Sequence, residues 1–206
     1  MVLAAIVLVA VRGLIDIRAL RHLWRVSRFE FKIAMVALVG VLLLGILEGV
    51  LLAAVVSLLM LVGRVSRPHV AFLGRIPDTQ RFSDLARHPD NAVVPGVVIV
   101  RVEAPLLYFN AGYVSAVVRR QVRSEATPVQ LVVWDLSSST YVDVVGARML
   151  ADLEEAWARQ GIQLRLADAH ADVRDILRAE GLEERVSRID RRMSVDDIVT
   201  AFRPVS

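Results

Sequence analysis

Between Trp134 and Leu150 the chain reads WDLSSSTYVDVVGARML, a stretch rich in side chains that take or bind phosphate. An apolar run ends at Asp135, four hydroxyls follow from Ser137 to Thr140, and Asp143 stands where a helix begins. Turns between a strand end and a helix N-terminus favour negative charge, because free backbone N–H groups and the helix dipole meet there. A hydroxyl in the helix's first turn would be the place for a phosphate, but Val144 and Val145 fill that turn. The residues therefore assign Asp143 to capping, Gly146 to close approach of helix and sheet, and Ser137 to Thr140 to satisfying the turn's backbone. Asp135, Ser139, Asp143, Val145 and Gly146 mark a loop expected to start the helix and to present a surface to another domain or protein.

Other chemistry-bearing groups are sparse. Asp168, His170 and Asp172 alternate as metal ligands could on a strand, but here a strand gives way to a loop, so no metal is expected. There is no cysteine, no Gly-x-Ser-x-Gly turn, no phosphate-cradling glycine loop and no His paired with a nucleophile in a recognised local pattern. Neither a cofactor nor catalysis is expected. The net charge of +3 comes from arginines beside apolar segments, and no basic and aromatic stripe marks a nucleic-acid partner.

The elements that must position this loop divide the chain in two. Hydrophobic residues make up 55% of it, an excess concentrated in Met1 to Val11 and Ile33 to Val62. The lipid bilayer is thus the first partner. Ile33 to Val62 is longer than the roughly 20 residues one span needs. Arg12, Arg18, Arg21, Arg25, Arg28 and Lys32 precede it, and Arg64 and Arg67 follow, so both flanks read as cytoplasmic. Two short helices broken near Gly45, Glu48 and Gly49 satisfy that better than one tilted helix, and leave Glu48 hydrated at the outer interface. Met1 to Val11 reads as the tail of a helix. Ile17, Leu20, Leu23, Trp24 and Phe31 recur beside arginines as in an interfacial amphipathic helix. Residues 1–66 form this membrane region.

Residues 67–206 read as a soluble α/β domain. HVAFLGRI, GVVIVRV, VQLVVWDL and IQLRLA are strand candidates, with Pro77 to Pro95 irregular. Asn110 is placed to cap a helix carrying Val114, Val117, Val118 and Val122 on one face, with Arg119, Arg120 and Arg123 facing water. Asp143 opens a helix with Met149, Leu150, Leu153 and Trp157 inward and Gly161 as its stop. Val173, Ile176 and Leu177 mark a third helix ending at Gly181, and Ser194 with Asp197 a capping box for a fourth. Alternating strands and helices imply a mixed, largely parallel sheet flanked by helices.

LAAIVLVAVRGLIDI, the apolar hairpin leading into SRPHVAFLGRIPDT, and RVEAPLLYFNAG occur in an order that resembles the C-terminal end of a sulfate permease (SulP) family anion transporter. RVEAPLLYFNAG is similar to the family's lead-in to its cytosolic STAS domain. The resemblance implies gate-domain helices followed by a cytosolic STAS domain, within a multi-pass protein of the cell membrane. It also implies a transporter core upstream of Met1, a homodimer and a cytosolic regulatory partner. STAS domains resemble anti-sigma factor antagonists too, where Asp-x-Ser/Thr-Gly carries a phosphorylated hydroxyl. The matching residues here are Asp143, Val144, Val145 and Gly146, so valine replaces the acceptor. A free-standing, membrane-tethered STAS module is the alternative reading.

Overall fold

In the computed structural model, residues 16–186 and 193–202 are described, so the expected helix tail at Met1 to Val11 lies outside them. The chain divides into two compact units, Met1–Gly63 and Arg64–Ser206.

The first unit is helical. Helix α1 (Ile17–Val26) begins at Asp16, whose carboxylate accepts the N–H groups of Arg18 and Ala19, and ends at Ser27. Ser27 in turn caps α2 (Arg28–Leu44) by accepting the Glu30 N–H. Trp24 and Phe31 meet edge to face across this joint at 4.9 Å, with the Arg28 guanidinium over the indole, which accounts for their helical spacing. Helix α3 (Ile46–Val65) is long and apolar enough to cross a membrane; α2, at 17 residues, is shorter. They break at Gly45, whose φ of +100° only glycine adopts easily. Gly40 and Gly49 are both buried where the helices pass, and a Cβ on Gly40 would meet the Gly49 Cα at 3.3 Å. Close backbone approach at small residues is how helices associate where lipid removes the hydrophobic drive. Along both helices large apolar side chains point outward, among them Leu42, Leu43, Ile46, Leu47, Leu51 and Leu59. Glu48 sits exposed in the first turn of α3.

The second unit is an α/β domain. Five strands, β1 (Val70–Arg75), β2 (Phe82–Asp84), β3 (Val97–Val102), β4 (Leu131–Asp135) and β5 (Gln163–Ala167), form one sheet in the order β2-β1-β3-β4-β5. β3, β4 and β5 run parallel, in a register that pairs Val100 with Trp134 and Trp134 with Leu166. β1 is antiparallel to β3 and β2. The short β2 lies inside the stretch expected to be irregular; with three residues of mixed polarity it has no strand periodicity to read. All residues of β4 are buried, as its unbroken apolar run requires of a central parallel strand.

Helices α4 (Ala111–Ser124), α5 (Val144–Ala158), α6 (Ala171–Ala179) and α7 (Leu182–Arg185) cover one face, where Val114, Val118, Leu150, Leu153, Trp157 and Val173 meet the alternate strand residues. The opposite face is closed by α8 (Val195–Ala201), whose Val195, Ile198 and Val199 lie on Val97, Ile99, Leu131 and Val133. The capping box expected from Ser194 and Asp197 is formed. Gly181 takes φ +74° as a stop should, but a further turn, α7, follows it at once.

Two carboxylates tie the edges of this sandwich and respond oppositely to it. Burial pushes the Asp84 carboxyl up, but hydrogen bonds from His69 (2.9 Å) and the Ala86 N–H, with nearby positive charge, outweigh it and hold the pKa below the ordinary carboxylate value. Asp168, in a left-handed turn at φ +52°, accepts the Val195 N–H at the start of α8. Partial burial and the charge of Asp135 nevertheless raise its pKa. A lowered folded-state pKa gives stability present above 3.8 and lost as pH falls through the folded value; a raised one gives stability present below 3.8 and lost as pH rises through the folded value. At neutral pH, Asp84→Asn should therefore lower the melting temperature and Asp168→Asn raise it, with both differences shrinking on acidification. Thermal unfolding across acid and neutral pH checks this; shifts of the same sign would contradict it.

Candidate functional site

The loops at the C-terminal ends of β3 and β4 are held together by one carboxylate. Asp143 Oδ1 accepts the Gly146 N–H at 2.7 Å, which caps α5, and Oδ2 accepts the Tyr108 N–H at 2.7 Å from the other loop. The backbone completes the join: the Leu106 N–H donates to Tyr141 O, and the Asp143 N–H to Leu106 O, making a short parallel bridge between Leu106 and Val142. Gly146 lies directly under this bridge. A Cβ there would come within 2.7 Å of Leu106 O, so only glycine fits. The sequence assigned Gly146 to close approach of helix and sheet; the approach is made against Leu106 of the neighbouring loop.

Ser139 and Asp135 brace the loop from inside. Ser139 is fully buried and its hydroxyl donates to Ala104 O at 3.1 Å, just past the end of β3. It satisfies the neighbouring loop and not the turn it belongs to. Asp135, also buried, receives Nε and Nη2 of Arg101 at 2.8 and 2.6 Å across the strand pair, and the Ser137 N–H at 2.8 Å. Holding a desolvated carboxylate requires such complete pairing. His170 closes the edge through Nε2 and the Ser137 carbonyl at 3.0 Å.

Asn110 departs from the sequence expectation. It occupies the capping position of α4, but its side chain makes no cap. Its Oδ1 accepts the Leu107 N–H, and its Nδ2 donates to Pro105 O and, at 3.4 Å, to Val65 O. The amide folds the Pro105 to Asn110 loop on itself and ties it to the last residue of α3. Its burial demands this, since an amide with free donors inside the protein would be costly.

The five residues singled out from the sequence thus do not form one surface. Asp135, Ser139 and Gly146 are buried, Asp143 is half-buried, and only Val145 is exposed. The exposed part consists of Val144 and Val145 together with Tyr108 and Tyr141, whose backbones the Asp143 and Leu106 bonds draw together. The tyrosines were missed; the signal available was their position, one in each loop immediately beside a residue that makes the join. Aromatic side chains left 70% and 50% exposed, Tyr108 and Tyr141, are the kind that enrich binding surfaces. Among the described residues, the exposed ionisable groups of this patch are the two tyrosine hydroxyls, and the geometry offers a platform.

Comparison with known proteins agrees with this architecture. The STAS domain model matches residues 88–197 and the Sulfate permease family model residues 1–37. Sulfate transporter 1.1 of Arabidopsis thaliana is 31% identical over 96% of this chain and 32% of its own length. High affinity sulfate transporter 2 of Stylosanthes hamata is 28% identical over 98% of this chain and again 32% of its own. The chain therefore spans about a third of the length of these relatives. The structure of the murine Solute Carrier 26 family member A9 anion transporter shares the fold at a TM-score of 0.75 and 22% identity, over 88% of this chain and 30% of that one.

If the join is structural, its members should rank by what each removes. Asp143→Ala, losing a cap and the Tyr108 bond, should cost about 1–3 kcal/mol. Gly146→Ala, forcing a methyl against Leu106, should cost about the same. Val145→Thr, on the exposed face, should stay within about 0.5 kcal/mol. Unfolding of the chain in detergent, followed by the buried Trp134 and Trp157, measures all three; a neutral Gly146→Ala would refute the close approach.

Proposed function

Because the chain belongs to the STAS domain family, and its first residues match the sulfate permease family, we propose that it is the C-terminal portion of a secondary active transporter of sulfate or a related inorganic anion. In this reading α2 and α3 are gate helices of a multi-pass protein of the cell membrane, and the STAS domain is its regulatory, cytosolic part. The transporter core belongs upstream, and two copies associate. The observation that carries the reading is the likeness to sulfate transporters along 96% of the chain, through helices and STAS domain alike. The glycine break between α2 and α3 supports it, since it lets two basic flanks lie on one side of a bilayer. Transport relatives support a non-enzymatic role, with Tyr108, Tyr141, Val144 and Val145 as the surface for a regulatory protein or a second domain.

Two experiments test this. The chain has no cysteine, so single cysteines at Arg28 and Arg67 report topology directly. Both should label from the cytoplasmic side; labelling from opposite sides would exclude the hairpin. Liposomes holding only these 206 residues should show no saturable sulfate uptake, because an anion site needs half-helix N-termini near the bilayer midplane. Saturable uptake would contradict the division between core and C-terminal portion.

A further inference from the structure

Helix α4 carries a cluster of positive charge that the STAS fold does not use. Arg119, Arg120 and Arg123 line a shallow groove of about 490 Å³ with Ala116 and Ser124. Elsewhere in the domain Arg75, Arg101, Arg148, Arg159 and Arg178 each meet a carboxylate within 4 Å. These three have no carboxylate partner among the described residues; the Arg119 Nε donates only to the Ser115 hydroxyl, at 3.3 Å. Like charges three and four positions apart on a helix repel, so nothing in the helix itself rewards their grouping. Ala116 leaves room between the guanidinium groups, while the Ser124 hydroxyl at the rim donates to Gln121 O at 3.0 Å within the helix. Forked guanidinium donors around a small open space suit the oxygens of a phosphate group.

The apolar helix carried by the same chain decides which phosphate. Asn110, immediately before α4, donates to the carbonyl of Val65, the last residue of the apolar helix α3. From Asn110 the cluster lies nine to thirteen residues on, no more than about 20 Å along the helix axis. Arg64 and Arg67 flank the same point of the chain. We propose that Arg119, Arg120 and Arg123 bind the phosphate headgroups of anionic lipids. This rests on the reading that α3 crosses the membrane. Tethering holds the site permanently near the surface, so weak individual contacts suffice. A groove open on one side fits a headgroup presented from a surface better than it fits a soluble ligand needing enclosure.

The test uses the full chain reconstituted into vesicles, with a fluorophore on a single cysteine at Thr127, exposed just past α4 and outside the groove, and a quencher on lipid headgroups. Flotation with pure phosphatidylcholine vesicles first checks the membrane reading by itself; failure to float would remove that reading and not the lipid specificity. In vesicles also containing phosphatidylglycerol, quenching should rise about threefold over phosphatidylcholine alone and fall back in high salt. Arg120→Gln with Arg123→Gln should abolish the rise while circular dichroism and flotation stay unchanged, and Arg159→Gln, on another surface, should leave it intact. Equal quenching in both vesicle types would overturn the proposal. So would displacement by inorganic phosphate at concentrations where chloride of equal ionic strength has no effect, since that result assigns the groove to a soluble phosphate.

Discussion

The loops after β3 and β4 come from strands joined by parallel pairing, which leaves their ends side by side with backbone groups to satisfy. Asp143 meets that need by accepting one N–H from each loop, and the Leu106 to Val142 bridge occupies the neighbouring groups. The consequences spread outward. Gly146 must lack a side chain so that α5 can approach, and α5 then places Leu150, Leu153 and Trp157 over the sheet. Ser139 is drawn inward to the end of β3, and the two tyrosines and two valines are left outside. A surface with so little freedom is suited to recognition by shape, which is how the proposed docking of a regulatory partner would work.

The same loop also takes up a carbonyl near the start of the second unit. Asn110 binds the turn of its own loop and the carbonyl of Val65. The Asp143 join and the Asn110 tie therefore meet in the six residues from Pro105 to Asn110. The arginine groove on α4 lies along the same helix that Asn110 precedes.

Much of this was legible in the residues. The four principal strands, the helix faces and the caps at Asp143 and Ser194 follow from apolar spacing and local hydrogen bonding, which act over a few residues. The break at Gly45 was readable because Gly45, Glu48 and Gly49 cluster near the middle of a long apolar run. What was hidden depends on partners distant in sequence. β2 exists because β1 offers it an edge, and no pattern within Phe82–Asp84 announces it. Asn110 has the residue type of a cap, but Val65, 45 positions away, and its own loop claim its amide. Ser139 looks like any hydroxyl of a polar turn until the end of β3 is placed above it. Gly146 has the residue type of close packing against a sheet, but the group it approaches is Leu106 in the neighbouring loop, which only the fold brings there.

The central claim is that the loop from Asp135 to Gly146 is a braced platform and not a switch that opens and closes. Amide hydrogen exchange of the full chain, resolved at Tyr108, Ser139 and Gly146, tests it most directly, because each of these N–H groups donates to a partner within the join or its turn. All three should exchange as slowly as the amides of the central strand β4. Exchange as fast as that of the exposed turn at Asp78–Gln80 would show that the loops part readily, and would contradict the account.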